Sequence, residues 1–290
     1  MGRNSRRSLV SRLSRSVTYL LTALALIPLV LVLSFTFAKG LPSVIHPEFF
    51  FNVELPPCEP SCPAVLKAGV EHAIVGTVIM VGLAALIAIP LGVLSGIYLA
   101  EYRSSRWSTA VRLACDVLVG TPSIALGLFV YGFLVVPFHH FSAWSGSVAL
   151  AILMLPIVAR TAEGAIGLVP NGLRESGLAL GLPRWRVSLQ LIVPAAAPGV
   201  ITGALLSVAR AAGETAPLLF TAFGAHLLVW NPNQAMQALP LTVYKYALLP
   251  YKSLQAQAWG AALVLIVMTL GINLVSRWVL RRQIALAVQQ

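Results

Sequence analysis

Long apolar runs constrain this chain more than any other feature of its sequence. Several runs reach about 20 residues, the length that an α-helix needs to cross the hydrocarbon core of a bilayer. Inside lipid the backbone must satisfy its own hydrogen bonds, so that only helices and closed barrels can span it. The chain is 58% hydrophobic and only 10% charged, a balance outside that of ordinary soluble domains. The sequence therefore predicts an all-α, polytopic membrane protein.

We predict six membrane spans from these runs. The fourth has the weakest signal, because Arg160 and Glu163 closely follow its short apolar core. The first is predicted to be a retained helix, since its run of about 21 residues exceeds the core of a secretory signal. An even number of spans places both termini on one side of the membrane. The predicted spans are residues 17–37, 72–99, 110–136, 145–168, 197–223 and 257–279.

Basic residues divide unequally between the two sides of the membrane. The side of the termini carries 15 arginines, in residues 3–15, 103–112, 160–186 and 277–282. The other side carries only Lys39, Lys67, Lys245 and Lys252. Because short cytoplasmic loops are enriched in Lys and Arg, both termini are predicted to be cytoplasmic. Topology thus accounts for the net charge of +11, and nucleic acid is not predicted as a partner.

Two of the three cysteines lie in a predicted external loop. Cys58 and Cys62 flank the sequence Glu-Pro-Ser, and a local disulfide between them fits an oxidising compartment. Free thiols and a metal site are the alternatives, although two ligands alone make a poor metal site. Cys115 lies within the third predicted span, where a small packing role is expected.

The fifth predicted span contains a charged pair. Arg210 lies in the middle of a long predicted helix, and Glu214 follows four residues later, on the same face. A charge at that depth costs roughly 2.5–3.5 kcal/mol, so that it requires a partner or a water-filled cavity. Arginine presents a planar, permanently charged fork that suits the oxygens of phosphate or sulfate. The pair therefore predicts either contact with a translocated anion or an ion pair that gates or fixes the packing.

Small and polar residues accompany this pair. Gly203, Ser207, Pro217 and Thr221 fall near the same face, and Thr215 follows Glu214 directly. Such a stripe is expected to line a pathway or a helix interface, because small residues let helices approach closely. The neighbouring helix could belong to this chain or to a second subunit.

A second candidate for the pathway or its gate is the only aspartate in the chain. Asp116 lies in the third predicted span, shortly before the sequence Gly-Thr-Pro-Ser at residues 120–123. Pro122 interrupts the helical hydrogen bonds there, and a nearby hydroxyl is available to the freed backbone. If Asp116 lies close to the cytoplasmic end of the span, an interfacial role is the alternative.

A polar stretch between the fourth and fifth spans carries the most specific motif. Glu175, Ser176, Gly177, Gly181 and Pro194 reproduce the spacing of the EAA loop of ABC-importer permeases. In that pattern Glu-Ala-Ala is followed after three residues by Gly, and after nine more by Ile-x-Leu-Pro. Ser176 and Gly177 stand where the family has two alanines. The stretch thus resembles the loop that forms two short helices and docks on a cytoplasmic ATPase.

Further stretches narrow the resemblance to one branch of these permeases. Residues 209–222 (ARAAGETAPLLFTA) closely resemble the permeases of phosphate-specific ABC importers, in particular the A-type of their two permease subunits. Residues 90–102 and 120–124 are similar to the same family, and the likeness covers residues 70–280. The sequence Arg-Ala-x-Gly-Glu also resembles sulfate and molybdate permeases, whereas its continuation favours phosphate.

The resemblance implies a type I ABC-importer permease fold and a division of the chain. Residues 1–16 would be a cytoplasmic basic tail, and residues 17–71 the first transmembrane helix with an external loop. Residues 72–280 would form the permease core, and residues 281–290 a second cytoplasmic tail. Residues 169–195, which we call the coupling segment, would contact the ATPase.

The resemblance also implies partners in the inner membrane and on both of its sides. These are a second homologous permease, two copies of a cytoplasmic ATPase and an external phosphate-binding protein, besides phosphate and the surrounding lipid. This chain lacks a Walker A sequence, so that ATP and Mg²⁺ are expected on the partner ATPase. No catalytic residue, cofactor or metal is predicted on this chain.

Two other functions remain open from the sequence. One is a sulfate or molybdate permease of the same fold. The other is a secondary anion transporter or channel in which Arg210 and Glu214 form a gate or a proton relay. Dependence on a separate ATPase distinguishes the importers from the second alternative, and competition between anions distinguishes the importers from each other.

Overall fold

The computed structural model describes residues 3–53 and 69–288. Within these residues no strand forms, apart from one isolated bridge between Phe223 and Met236, and the prediction of an all-α membrane protein is confirmed. The α-helices are α1 (Arg3–Val44), α2 (Glu48–Phe51), α3 (Glu71–Glu101), α4 (Arg106–Gly120), α5 (Ser123–Val130), α6 (Val136–Phe138), α7 (Ala143–Gly167), α8 (Asn171–Ala179), α9 (Arg184–Val187), α10 (Val193–Ala212), α11 (Ala216–Thr221), α12 (Leu239–Ala247) and α13 (Lys252–Val288).

Five helices within the described residues are long and apolar enough to cross a membrane. They overlap the predicted first, second, fourth, fifth and sixth spans. The helix at the fifth runs without interruption from Arg184 to Ala212, so that it begins and ends earlier than predicted. The fourth prediction, which had the weakest signal, corresponds to α7. Half of the apolar window of α7 is buried, the largest share of the five. Its lower hydropathy reflects burial against protein rather than against lipid.

The predicted third span is not a single helix, which corrects the expectation for residues 110–136. The chain bends by 104° between α4 and the helical stretch Ser123–Phe138. Thr121 and Pro122 are extended at the bend, with ψ of 133° and 131°. A residue that precedes proline avoids the helical region, and Pro122 has no amide hydrogen to continue the ladder. Residues 106–138 therefore form a bent helix pair with irregular backbone at its centre, the form of a broken span or a re-entrant loop.

Two prolines are accommodated by π-helical segments. Tyr131–Val135 precedes Pro137, and Ser188–Ile192 precedes Pro194, each separated from its proline by one residue. Proline removes one amide donor and its ring collides with the carbonyl four residues earlier. The wider π-helical turn relieves that collision without ending the helix. As a result α9 continues through this segment into α10.

The core lies where α3 and α7 pack against each other and against α10. A Cβ at Gly92 would lie 2.7 Å from Val158 Cβ, and one at Gly96 would lie 2.5 Å from Ala162 Cβ. These glycines allow the two backbones to approach closely along their second halves. Next to this contact lies a cluster of fully buried side chains: Met80, Ala84, Leu150, Met154 and Leu218.

Helices α1 and α13 lie at the periphery. Ser43 Oγ donates to the Ala256 carbonyl oxygen at 3.1 Å, and the rings of Phe35 and Trp259 are 6.2 Å apart. Only 6% of the apolar window of α1 is buried, so that most of its surface is available to lipid or to another subunit.

Candidate functional site

Arg210 lies in the last turn of α10, not in the middle of a helix as predicted. The helix ends at Ala212, and Gly213 to Thr215 connect it to α11. Glu214 therefore pairs with Arg210 across the end of the helix, with Arg210 Nε 3.5 Å from Glu214 Oε1. The Arg210 side chain is 61% exposed, whereas that of Glu214 is 19% exposed. The guanidinium is thus available to a ligand while one carboxylate lies beside it.

A cavity of about 90 Å³ lies at Arg210. It is lined by Arg210 from α10, by Leu153 and Ile157 from α7, and by four residues at the bend between α4 and α5: Leu118, Val119, Thr121 and Ser123. Thr121 Oγ1 donates to the Val117 carbonyl oxygen at 2.7 Å. The Thr121 hydrogen is therefore used within the chain. The cavity combines one permanent positive charge with one hydroxyl donor that is free in the described structure, that of Ser123, and an apolar wall, a set of groups that suits a small oxyanion.

The small-residue stripe forms a helix interface within this chain. A Cβ at Gly203 would lie 2.1 Å from Thr161 Oγ1 of α7, and one at Gly127 would lie 2.5 Å from Pro217 Cα. Ser207 is fully buried and its Oγ donates to the Ala204 carbonyl oxygen at 2.7 Å. Ser207 is thus buried and does not line the cavity. Thr215 is the residue before α11 and is half-buried.

Asp116 does not join Arg210. Its Oδ1 lies 3.4 Å from Arg160 Nε, and both side chains are substantially exposed. Arg160 also contacts Glu163 Oε2 at 2.8 Å, and Glu163 Oε1 accepts from Arg112 Nε at 2.7 Å. We call the end of the bundle that carries these arginines the basic end. The structure therefore places Asp116 in an ionic network at the basic end, which fits the interfacial alternative for this residue.

The coupling segment folds as a helix, a turn and a second helix. Helix α8 carries Glu175, Ser176 and Gly177, and α9 leads through the π-helical segment to Pro194 at the start of α10. Glu175 is exposed, and no ion pair is found for it among the described residues. Ser176 Oγ donates to the Gly172 carbonyl oxygen at 2.7 Å. The segment therefore presents one exposed carboxylate on a short helix, without an ion pair in the described structure.

The structure explains why glycine stands at two positions of the motif, Gly177 and Gly181. A Cβ at Gly177 would lie 2.7 Å from Leu191 Cδ1, so that Gly177 allows α8 to lie against the start of the next span. Gly181 has φ of +77° and ends α8. Its amide donates to the Leu178 carbonyl, and the Leu182 amide donates to the Gly177 carbonyl. This pair of hydrogen bonds is the Schellman motif, which requires a left-handed residue where Gly181 stands.

Gly181→Ala is expected to destabilise the turn, although a Cβ at this position would meet no other atom. A left-handed conformation costs an L-residue roughly 1–2 kcal/mol. Gly172→Ala is the matched control, since Gly172 lies within α8, also with open space around it. We expect a lower melting temperature in detergent for the first variant only. Equal melting temperatures for the two variants would show that the turn does not hold Gly181 in this conformation.

Cys58 and Cys62 lie outside the described residues, so that their disulfide stays a prediction. Cys115 is buried and unpaired in α4, as expected for a packing residue. Among the described residues, no group of three His, Cys, Asp or Glu side chains is arranged to hold a metal ion.

The Glu101–Arg174 ion pair was missed by the sequence reasoning. Arg174 Nη2 lies 3.2 Å from Glu101 Oε1, and the two side chains are 19% and 22% exposed. Both residues belong to stretches that carry the family resemblance, but they are 73 positions apart in the chain. Only their charges could have suggested a pair, and six other arginines between residues 103 and 186 were equally good candidates.

Comparison with known proteins defines the class to which this fold and site belong. The model of the family described as "Binding-protein-dependent transport system inner membrane component" matches residues 88–285, and the chain belongs to this family. It is therefore a permease subunit of an ABC transporter and a protein of the inner membrane.

Its relatives include phosphate transport system permease proteins. It is 40% identical over 268 residues to the phosphate transport system permease protein PstA of Haemophilus influenzae, with 92% of each chain covered. It is 44% identical to PstA of Xylella fastidiosa, over 84% of this chain and 83% of the relative. PstA 1 of Mycobacterium tuberculosis is 38% identical, over 90% of this chain. The resemblance drawn from the sequence is thus confirmed.

Solved structures share the fold. A chain of the inward-facing MetNI methionine ABC transporter is 21% identical, with a TM-score of 0.58, and the match covers 74% of this chain and 94% of that chain. A chain of a bacterial alginate ABC transporter, solved with its periplasmic protein, is 15% identical, with a TM-score of 0.60 and 96% of each chain covered. The predicted type I ABC-importer permease fold is confirmed.

Proposed function

We propose that this chain moves inorganic phosphate into the cytoplasm as one permease of an ABC importer. The observation that carries the proposal is the cavity that Arg210 lines together with Ser123, whose hydroxyl is a neutral donor. Phosphate has several oxygens for a guanidinium fork and for neutral donors. The relatives named as phosphate transport permeases, over 84–92% of this chain, support phosphate among the oxyanions.

In this proposal the energy comes from outside the chain. A second homologous permease would pair with this one, and two copies of a cytoplasmic ATPase would bind ATP and Mg²⁺. An external phosphate-binding protein would deliver the anion. The exposed carboxylate of Glu175 on α8 would contact the ATPase, and the turn at Gly181 would hold α8 in place. Both termini would be cytoplasmic, as would the basic end, where arginines are concentrated.

The proposed steps follow from this arrangement. ATP binding would close the ATPase pair and move the coupling segment, so that the path opens outward and receives the anion. Hydrolysis would reset it. Arg210 would attract the anion into the cavity, while Glu214 beside it would prevent retention of the anion by partly neutralising the charge. The small cavity favours a single compact anion.

Initial uptake of labelled phosphate tests the proposal. Cells that lack the chain are compared with cells in which it is restored, with and without excess unlabelled sulfate. We expect the restored chain to raise phosphate uptake, and sulfate to leave that uptake unchanged, because the relatives are named for phosphate transport. A variant of the ATPase that binds but does not hydrolyse ATP should abolish uptake.

Other outcomes contradict specific parts of the proposal. Strong competition by sulfate, with restored uptake of labelled sulfate, would assign the chain to the sulfate and molybdate alternative. Phosphate uptake that continues without ATP hydrolysis would favour a secondary transporter. Restoration of neither anion, with all subunits present in the membrane, would exclude the proposed substrate.

A further inference from the structure

Arg174 is the most highly connected side chain of the coupling segment. Its Nε and Nη2 lie 3.3 and 3.2 Å from Glu101 Oε1. Its Nη2 also donates to the Ile166 carbonyl oxygen at 3.4 Å, and its Nη1 donates to the Val169 carbonyl oxygen at 3.4 Å and to Asn171 Oδ1 at 3.2 Å. One guanidinium therefore joins α8 to the ends of two membrane-spanning helices.

These two ends belong to helices that are packed together. Glu101 is the last residue of α3, and Ile166 is the penultimate residue of α7. Carbonyls at the end of a helix have no partner within it, and a cation there also interacts favourably with the helix dipole. Since Gly92 and Gly96 bring α3 and α7 into close contact, the two helices are expected to move as a unit.

The same α7 reaches the anion cavity. Leu153 and Ile157 form one wall of the cavity that contains Arg210. Ile157 and Ile166 are nine residues apart, which corresponds to about 14 Å along an α-helix. A displacement of α7 at its Arg174 end would therefore move a wall of the cavity.

Arg174 and its neighbour Glu175 point in different directions. Successive residues of an α-helix are rotated by about 100°, so that adjacent side chains leave on different faces. Arg174 is mostly buried against α3 and α7, whereas Glu175 is exposed. Helix α8 thus has one charged side chain directed at the spans and the next directed away from them.

We propose that the Arg174–Glu101 pair transmits the movement of α8 to α3 and α7, and so connects ATP hydrolysis to the anion cavity. Arg174 and Glu101 are positioning residues, since neither lines the cavity at Arg210. The inference rests on the proposed function, because it assigns to α8 the contact with the ATPase. An ion pair between side chains about four-fifths buried is less screened by solvent than a surface pair.

The test measures phosphate transported and ATP hydrolysed by the assembled transporter in proteoliposomes that contain the external binding protein. The variants are Arg174→Gln, Glu101→Gln and the charge exchange Arg174→Glu with Glu101→Arg. Arg106→Gln is the matched control, since Arg106 is an exposed arginine at the start of α4, outside the coupling segment, and makes no ion pair in the described structure.

We expect each single variant at the pair to lower the number of phosphates transported per ATP by roughly 2- to 30-fold, the range found for residues that carry coupling. ATP hydrolysis itself should continue, because the residues that bind and hydrolyse ATP lie on the partner ATPase. The double exchange should recover part of the ratio, since interacting residues show non-additive effects. Arg106→Gln should leave the ratio unchanged.

A merely structural role predicts a different result. Loss of transport and hydrolysis in proportion, with the ratio unchanged in both single variants, would overturn the inference. A full effect of the two single variants with no recovery in the exchange would also contradict it, because the pair would not be the acting unit. If the wild-type protein transports sulfate and not phosphate, the proposed substrate fails, and the same ratio measured with sulfate still decides on the pair.

Discussion

Replacing Arg210 with glutamine is expected to reduce phosphate uptake by roughly 10- to 100-fold. Glutamine keeps a similar length and can donate hydrogen bonds, but it removes the one charge that lines the cavity beside Thr121 and Ser123 among the residues that the structure describes. Hydrogen bonds to charged groups contribute about 1.5–3 kcal/mol, and this range corresponds to the expected loss. The side chain is 61% exposed, so that its replacement should not prevent folding.

Arg106→Gln is the matched control for this substitution. Arg106 is an exposed arginine at the start of α4, outside the cavity. Uptake is measured at several phosphate concentrations, with the amount of chain in the membrane determined by immunoblot. Arg210→Lys should retain more uptake than Arg210→Gln, because it keeps the charge without the planar fork. Normal uptake by a well-inserted Arg210→Gln variant would remove Arg210 from the mechanism.

Gly127→Ala is expected to lower the stability of the protein by about 1–3 kcal/mol, the usual cost of overpacking a filled interface. The added methyl group would lie 2.5 Å from Pro217 Cα and 3.2 Å from the Pro217 carbonyl oxygen. Both are backbone atoms, so that no side chain can rotate to make room. Helices α5 and α11 would have to separate. Ser123 is the first residue of α5, and Glu214 lies two residues before α11.

Gly132→Ala provides the control on the same helical stretch. A Cβ at Gly132 would meet no atom within 4 Å. Melting temperatures of the purified proteins in detergent should fall for Gly127→Ala and stay close to the wild-type value for Gly132→Ala. Uptake should fall together with stability for Gly127→Ala. Similar melting temperatures for both variants would show that α5 and α11 separate at little cost.

The sequence predicts most of the coupling segment but only part of the lining of the cavity at Arg210. The turn of the coupling segment depends on local chemistry, because Gly181 alone supplies the positive φ that ends α8. The end of α10 was also available from local signals, since Gly213 follows the last helical residues and Pro217 comes shortly after. The prediction of Arg210 in mid-helix was wrong because the apolar run was extended across these breakers.

Ion pairs between residues that are far apart in the chain could not be predicted from the sequence. Asp116 meets Arg160, and Glu163 joins Arg112, only because α4 lies against α7 at the basic end. The 104° bend follows from Pro122, but its angle depends on the packing of α5 against α11. The pattern of apolar residues predicts where helices lie along the sequence. It does not predict which charged residues of different helices form ion pairs.

The unbroken helix from Arg184 to Ala212 has a mechanical consequence. Its first residue belongs to the coupling segment and its last turn carries Arg210, about 39 Å away at 1.5 Å per residue. Such a helix acts as a lever, in which a tilt of about 5° around the middle displaces each end by about 2 Å in opposite directions. The π-helical segment Ser188–Ile192 is the place where this helix can bend. Its stiffness therefore sets how much of a displacement of the coupling segment arrives at the guanidinium of Arg210.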